Sequence, residues 1–161
     1  MTIGHFLGGV AALIYDPASS KYLILRRSES KDFLSGDWEC ITGRVEQGES
    51  YLQALHREVS EEIGIEIQIE FFIGVTHFYR GKNIPNNELL GVVFSCLTDK
   101  PEEVHFGEEH SEMHWIAADE AAEIITANHW LAKVIARAEK IRKWLPEELR
   151  SDFLLNGFDL P

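Results

Sequence analysis

Between Tyr51 and Gly64 the apolar positions fall at Leu52, Leu55, Val59 and Ile63, three and four residues apart, the period of a helix with one face turned to a core. Ser50 followed by Gln53 reads as a capping box at its start, and Gly64 as the left-handed residue that stops it. The period then changes to two. Ile65, Ile67 and Ile69 alternate with Glu66, Gln68 and Glu70, which predicts a strand with one buried face, and more strand follows from Phe72 to Tyr79. Upstream, Phe6 to Tyr15 is an apolar strand closed by the turn residues Asp16-Pro17. Tyr22 to Leu25 is a second strand ending in Arg26-Arg27, Ser28 to Asp37 is polar and turn-like, and Trp38 to Thr42 is a third strand. Downstream, Gly81 to Asn87 is a loop, Leu89 to Leu97 a strand, Glu102 to Glu112 an acidic mobile segment, and Met113 to Ile116 a short strand. Ala118 to Thr126 and Asn128 to Leu145 read as helices, the second with a core stripe of Trp130, Val134, Ala138, Ile141 and Leu145. Strands interleaved with helices predict an α/β protein with a mixed sheet covered by helices.

A chain of 161 residues suffices for one domain, residues 1–161, with a sizeable core. At 45% apolar and 26% charged residues the composition is that of an ordinary globular protein. No stretch reaches the roughly 18 apolar residues of a membrane span. The run from Phe6 to Tyr15 lacks a basic segment before it, so a cytoplasmic location is expected. A net charge of -12 argues against a nucleic-acid track, but admits a small phosphorylated substrate if divalent cations bridge the negative charges. Cys40 and Cys96 stand far apart in strand-like segments without metal spacing, as buried thiols do. His105, His110 and His114 have no zinc-site spacing either. The tail, 146–161, carries Phe153, Leu154, Leu155, Phe158 and Leu160, and is apolar enough to dock on its own domain or on a partner subunit. Monomer and homodimer both remain open.

The run from Gly43 to Ile65 changes this picture most. It reads GRVEQGESYLQALHREVSEEIGI, and follows the pattern G-x5-E-x7-R-E-U-x-E-E-x-G-U, with U a bulky aliphatic residue. On a helix turning by about 100° per residue, Glu58, Glu61 and Glu62 are neighbours on one face while Leu55, Val59 and Ile63 occupy another. Like charges so close destabilise a bare helix by a few tenths of a kcal/mol per pair, roughly, and call for a counter-charge. Arg57 supplies one. Oxygen-only ligands at this charge density suit a hard divalent cation, Mg2+ or Mn2+. An ordinary acidic run would be read as a solvated helix face; here residue identity is fixed along with charge.

The pattern resembles the signature of the Nudix hydrolases at every fixed position. The resemblance extends from Phe6 to Ala122 and implies an α/β/α sandwich around a mixed sheet, with the signature as loop, helix and loop. It further implies metal ligation by Glu58, Glu61 and Glu62 with the backbone at Gly43, and a loop held by Arg57 on Glu49. The implied reaction is water attack on phosphorus in a nucleoside diphosphate linked to another group. Family members often recruit a glutamate from outside the signature as ligand or general base. Glu109, six residues before Trp115, resembles the E-x5-W of the MutT type, with Glu112 and Glu108 as runners-up; Glu61 is the alternative base. Thr42-Gly43 within W-E-C-I-T-G, followed by V-E-x-G-E, looks like the branch that acts on dihydroneopterin triphosphate and deoxynucleoside triphosphates. The proline that ADP-ribose enzymes tend to carry downstream falls on Gly81, and the tyrosine of dinucleoside-polyphosphate hydrolases has no match, although Tyr79 is close. ADP-ribose or dinucleoside-polyphosphate hydrolysis, and a nucleotide-binding module without catalysis, stay open as alternatives.

Four residues outside the acidic face are candidates for substrate contact. Alternation sends Arg26 and Arg27 to opposite faces of their strand, so one of them reaches a phosphate and the other is solvated. Arg44 follows Gly43 and is available to phosphate or to a surface ion pair. Tyr79, like Phe78 and Trp38, offers a ring for a base or for the core.

Overall fold

The computed structural model describes residues 4–30 and 34–160. Strands β1 (Leu7–Asp16), β2 (Lys21–Arg27), β3 (Trp38–Glu39), β4 (Ile41–Arg44), β5 (Gln68–Tyr79), β6 (Glu88–Leu97) and β7 (His110–Ile116) form a seven-stranded sheet. Its path runs β3-β2-β1-β6-β5, with β4 also on β1 and β7 on β2. The β1–β6 pair is parallel and the others antiparallel, so the sheet is mixed. Helix α1 (Tyr51–Ile63) covers one face; α2 (Ala121–Ile124), α3 (Trp130–Trp144) and α4 (Glu147–Asn156) follow β7.

Alternation along β1 explains its unbroken apolar run. Val10, Ala12 and Ile14 pack with Leu55, Val59 and Ile63 of α1, whereas Ala11 and Leu13 pack with Leu131, Ile135 and Ala138 of α3. A strand covered on both faces has no polar side to show. This gives the α/β/α sandwich. Burying each large aliphatic side chain of α1 contributes about 1.5–3 kcal/mol, which ties the helix firmly to the sheet. Its ends are fixed as the sequence requires. The Ser50 hydroxyl accepts from the Gln53 amide, the Gln53 side chain accepts from the Ser50 amide, and Gly64 closes the helix at φ 71.

Several boundaries differ from the sequence pattern. The predicted strand from Trp38 to Thr42 is two strands, because β3 pairs with β2 while β4 pairs with β1. Strand β5 begins at Gln68, leaving Ile65 and Ile67 in the connection from α1. Glu70 is not on a solvated face: at 1% exposure it lies under α3, where Arg142 Nη2 donates to it at 2.7 Å and the Ser95 hydroxyl at 2.9 Å. Burial of a carboxylate is tolerated there because it is both paired and hydrogen-bonded. The acidic segment 102–112 is not mobile throughout, since Val104 is in the core and His110 opens β7. Of the predicted helix from Ala118 to Thr126 only Ala121–Ile124 is helical. The buried side of α3 is Leu131, Ile135 and Ala138, with Trp130, Val134, Ile141 and Leu145 flanking it. The polar turn 28–37 is described except at 31–33, which lie outside the described residues. In the tail, Phe153 and Phe158 pack against the two core clusters, with Phe158 5.4 Å from Phe94, whereas Leu155 and Leu160 are exposed. Among the described residues no helix is long and apolar enough to cross a membrane.

Candidate active site

The loop between β4 and α1 is held by one guanidinium. Arg57 donates from Nε to Glu49 Oε1 at 2.7 Å and from Nη2 to Glu49 Oε2 at 2.9 Å. Nη2 also reaches the Arg44 carbonyl at 2.9 Å, and Nη1 reaches Glu58 Oε1 at 2.9 Å and Glu61 Oε2 at 3.3 Å. These contacts engage all the donors that arginine has, which a lysine could not reproduce. The bidentate pair, with the Glu46 amide as a second donor, holds the Glu49 carboxyl down at about 2.

The three helix carboxylates share a face but not an environment. Glu58 is turned back toward β4, where its Oε1 accepts from the Arg44 amide at 3.2 Å. Its carboxyl crosses the place a side chain at position 43 would occupy: a Cβ there would stand 1.9 Å from Glu58 Cδ. Glycine at 43 is therefore what lets the carboxylate lie on the strand backbone. Glu61 is 60% exposed. Glu62 points inward at 10% side-chain exposure, and burial, reinforced by the nearby carboxylates of Glu39, Glu58 and Glu109, pushes its carboxyl up to about 9. Among the described residues no group of three His, Cys, Asp or Glu side chains already encloses a metal position. The donor set nevertheless fits a hard cation: it offers carboxylate oxygens and no thiol, and the buried Glu62 faces three like charges that a cation would relieve.

Behind Glu62 lies a polar cluster that the periodicity does not announce. Glu39 of β3 is 5% exposed and accepts from Arg27 Nη1 at 2.9 and 3.0 Å, and from the Thr42 hydroxyl at 3.3 Å. His110 Nε2 lies 3.0 Å from Glu39 Oε1 and 3.8 Å from Glu62 Oε2. Glu109 precedes His110 at the mouth of β7. Its carbonyl accepts from the Ser28 amide at 2.9 Å, and its carboxylate is among those acting on Glu62. The other glutamates of that segment differ: Glu112 pairs with Arg26 at 2.7 Å, and Glu108 is exposed.

The arginines sort by face. Arg26 lies on the solvated side, its side chain 41% exposed while bonded to Glu112 and to the Gly36 carbonyl, whereas Arg27 joins the buried cluster at Glu39. Arg44 is exposed beside Gly43. Arg80, which the sequence pattern did not single out, lies near both: burial and the like charges of Arg44 and Arg27 lower its pKa. The neighbouring Tyr79 is the last residue of β5, and its ring lies 5.7 Å from His77. Carboxylates from α1, β3 and the β7 mouth thus stand close to arginines from β2, β4 and the end of β5. Such a site can hold cations and a phosphate chain side by side. A separate cleft of about 620 Å³, lined by Asp16, Glu66, Asp99 and Glu102 among others, lies at the opposite end of β1.

Comparison with known proteins gives the family and the fold. The family model described as the NUDIX domain matches residues 5–138. An uncharacterised Nudix hydrolase of Yersinia pestis is 33% identical over 112 residues, which span 67% of this chain and 57% of that protein. The dihydroneopterin triphosphate diphosphatase of Escherichia coli K12 is 29% identical over 127 residues, 70% of this chain and 79% of that one. A crystal structure of a MutT protein from Methanosarcina mazei Go1 superposes with a TM-score of 0.71 at 24% identity, covering 89% of this chain and 99% of the other, and so shares its fold. With the match covering most of its length and the signature folded as loop, helix and loop, the chain belongs to the Nudix family.

Proposed function

We propose that the protein is a Mg2+-dependent pyrophosphohydrolase, with Mn2+ as an alternative cation, that cleaves a phosphoanhydride bond of a nucleoside triphosphate or a related metabolite. The observation that carries this reading is the Glu62 carboxyl, buried against Glu39, Glu58 and Glu109 within reach of an arginine group. A mere charged helix face would leave Glu62 in water. Glu58, Glu61 and Glu62, with the backbone at Gly43, would hold the cation. Once bound, it supplies charge neutralisation and polarisation of the phosphoryl group. The chain's own residues do the rest. Arg27, Arg44 and Arg80 draw in and orient the phosphates, Arg57 and Glu49 keep the loop before α1 in register, and Glu109 takes the proton from the attacking water. Glu61 is the alternative base, being exposed on the same helix face. A general base must stand within hydrogen-bond reach of its water; the place of Glu109 on the loop before β7, with its carboxylate near Glu62, supports that role.

Two features favour a triphosphate such as dihydroneopterin triphosphate or a deoxynucleoside triphosphate: Thr42-Gly43 at the entry to the signature, and the 29% identity to the E. coli enzyme named for dihydroneopterin triphosphate. Hydrolysis of a panel of triphosphates, ADP-ribose and dinucleoside polyphosphates with Mg2+ or Mn2+, followed by ion-exchange separation, tests the reading. Pyrophosphate release with a nucleoside monophosphate is expected. Two monophosphates would transfer the assignment to a dinucleotide-type substrate, and nucleotide binding without any hydrolysis would refute an enzymatic role.

A further inference from the structure

Three strands converge on one buried carboxylate. Glu39 comes from β3, Arg27 from the end of β2 and His110 from the start of β7. Arg27 and His110 are register partners, and the β2–β7 ladder shifts between Arg26 and Arg27, immediately before that pair. A bulge next to a site re-aims the side chains beyond it, and here it brings both to Glu39. The His110 side chain is 2% exposed. An acceptor-only carboxylate requires that Nε2 carry the proton toward Glu39, while Nδ1 is buried without a hydrogen-bond partner. Such an atom carries the desolvation penalty of burial with no hydrogen bond to offset it, a cost that an apolar side chain of equal size would avoid. Packing therefore does not account for a histidine here.

Its neighbours do. Glu109 precedes it in the chain, and Glu62 lies 3.8 Å from its Nε2. We propose that His110 is a positioning residue: anchored on Glu39, it fixes the mouth of β7 and with it the place of the Glu109 carboxylate near Glu62. The inference rests on the hydrolase reading given above and adds to it a residue that touches neither substrate nor cation. Glu39 keeps Arg27 and Thr42 when His110 is removed, so the fold survives the change.

The test compares Glu109→Gln, His110→Ala, the double variant and two replacements at 110 that separate shape from bonding. His110→Phe keeps a ring without an N–H, and His110→Gln keeps an N–H. His110→Ala and His110→Phe should lower kcat by about 10–100-fold, as the loss of an outer-layer partner does, with KM little changed, and His110→Gln should recover most of the loss. The double variant should be no slower than Glu109→Gln, because both act through the same carboxylate. Independently of activity, hydrogen exchange without cation or substrate should quicken in His110→Ala at the Ser28 and His110 amides, which bond to the carbonyls of Glu109 and Gly107. Wild-type kcat in both His110→Ala and His110→Phe, multiplicative losses in the double variant, or unchanged exchange would overturn the proposal. A wild-type protein that hydrolyses nothing in the panel fails the hydrolase reading instead, and this role with it.

Discussion

Gly43 occupies a fixed position in the signature, but its necessity lies in contacts the linear pattern does not contain. Replacing it with alanine would drive a methyl group into the Glu58 carboxyl, 1.9 Å from Cδ and 2.3 Å from Oε1. Overpacking of this kind costs about 1–3 kcal/mol; since Glu58 can swing outward, Gly43→Ala should fold and lose at least about tenfold in turnover, a ratio of 1.4 kcal/mol, which parallel melting and rate measurements resolve. The spacing of Glu58, Glu61 and Glu62 was legible, and so was the pairing of Arg57 with Glu49. The difference among the three glutamates was not: Glu62 is set apart first by its burial and then by nearby carboxylates that include Glu39, upstream of the signature, and Glu109, far downstream. Arg80 escaped the reading for the same reason, since only the sheet brings the end of β5 beside Arg27 and Arg44. For Glu49 the sign of the pH dependence is fixed. Its folded pKa of about 2 lies below the ordinary 4.5, so its contribution to stability is complete above pH 4.5 and disappears as the pH falls through about 2. The difference in Tm between the wild type and Glu49→Gln should be constant above pH 5, roughly, and shrink on acidification.

Helix α1 was the element most completely written in the sequence, because its cap, stripe and stop are local. Gly64 adds a contact that is not local. Besides φ 71, a Cβ at this position would lie 2.0 Å from the His105 ring. Gly64→Ala should therefore destabilise by more than the roughly 1 kcal/mol of an ordinary helix-end glycine, lowering Tm by about 2–4 °C for each kcal/mol; a loss no larger than that roughly 1 kcal/mol would show that the ring moves aside freely. Strand boundaries were read less well, and for identifiable reasons. Apolar periodicity does not reveal that the chain changes partners between Glu39 and Ile41, from β2 to β1. The acidic composition of 102–112 concealed two inward side chains, Val104 and His110, whose burial depends on α1 and β3. A histidine flanked by glutamates next to the predicted β7 was the available signal.

The sandwich as a whole gathers charge of both signs at one end of β1 and leaves the other end to the separate acidic cleft. Its two covered faces were predictable from the apolar run in β1 and the two helical stripes. The polar core under α3, where Arg142 stacks 3.7 Å from the Tyr15 ring and bonds Glu70, was not, since its members are spread from position 15 to position 142. That network braces the sheet from behind, and the Phe153–Phe158 pair, 4.6 Å apart, docks the tail on the two core clusters. The front face carries the chemistry proposed for the protein. Hydrolysis of a nucleoside triphosphate with Mg2+ by the wild type and by Glu62→Gln, a change that keeps the shape of the most buried carboxylate on the face, measures this most directly. A loss of at least about a hundredfold in kcat is expected, the upper end of what losing an outer-layer partner costs, in a protein that melts normally. Equal turnover by the two proteins would contradict it.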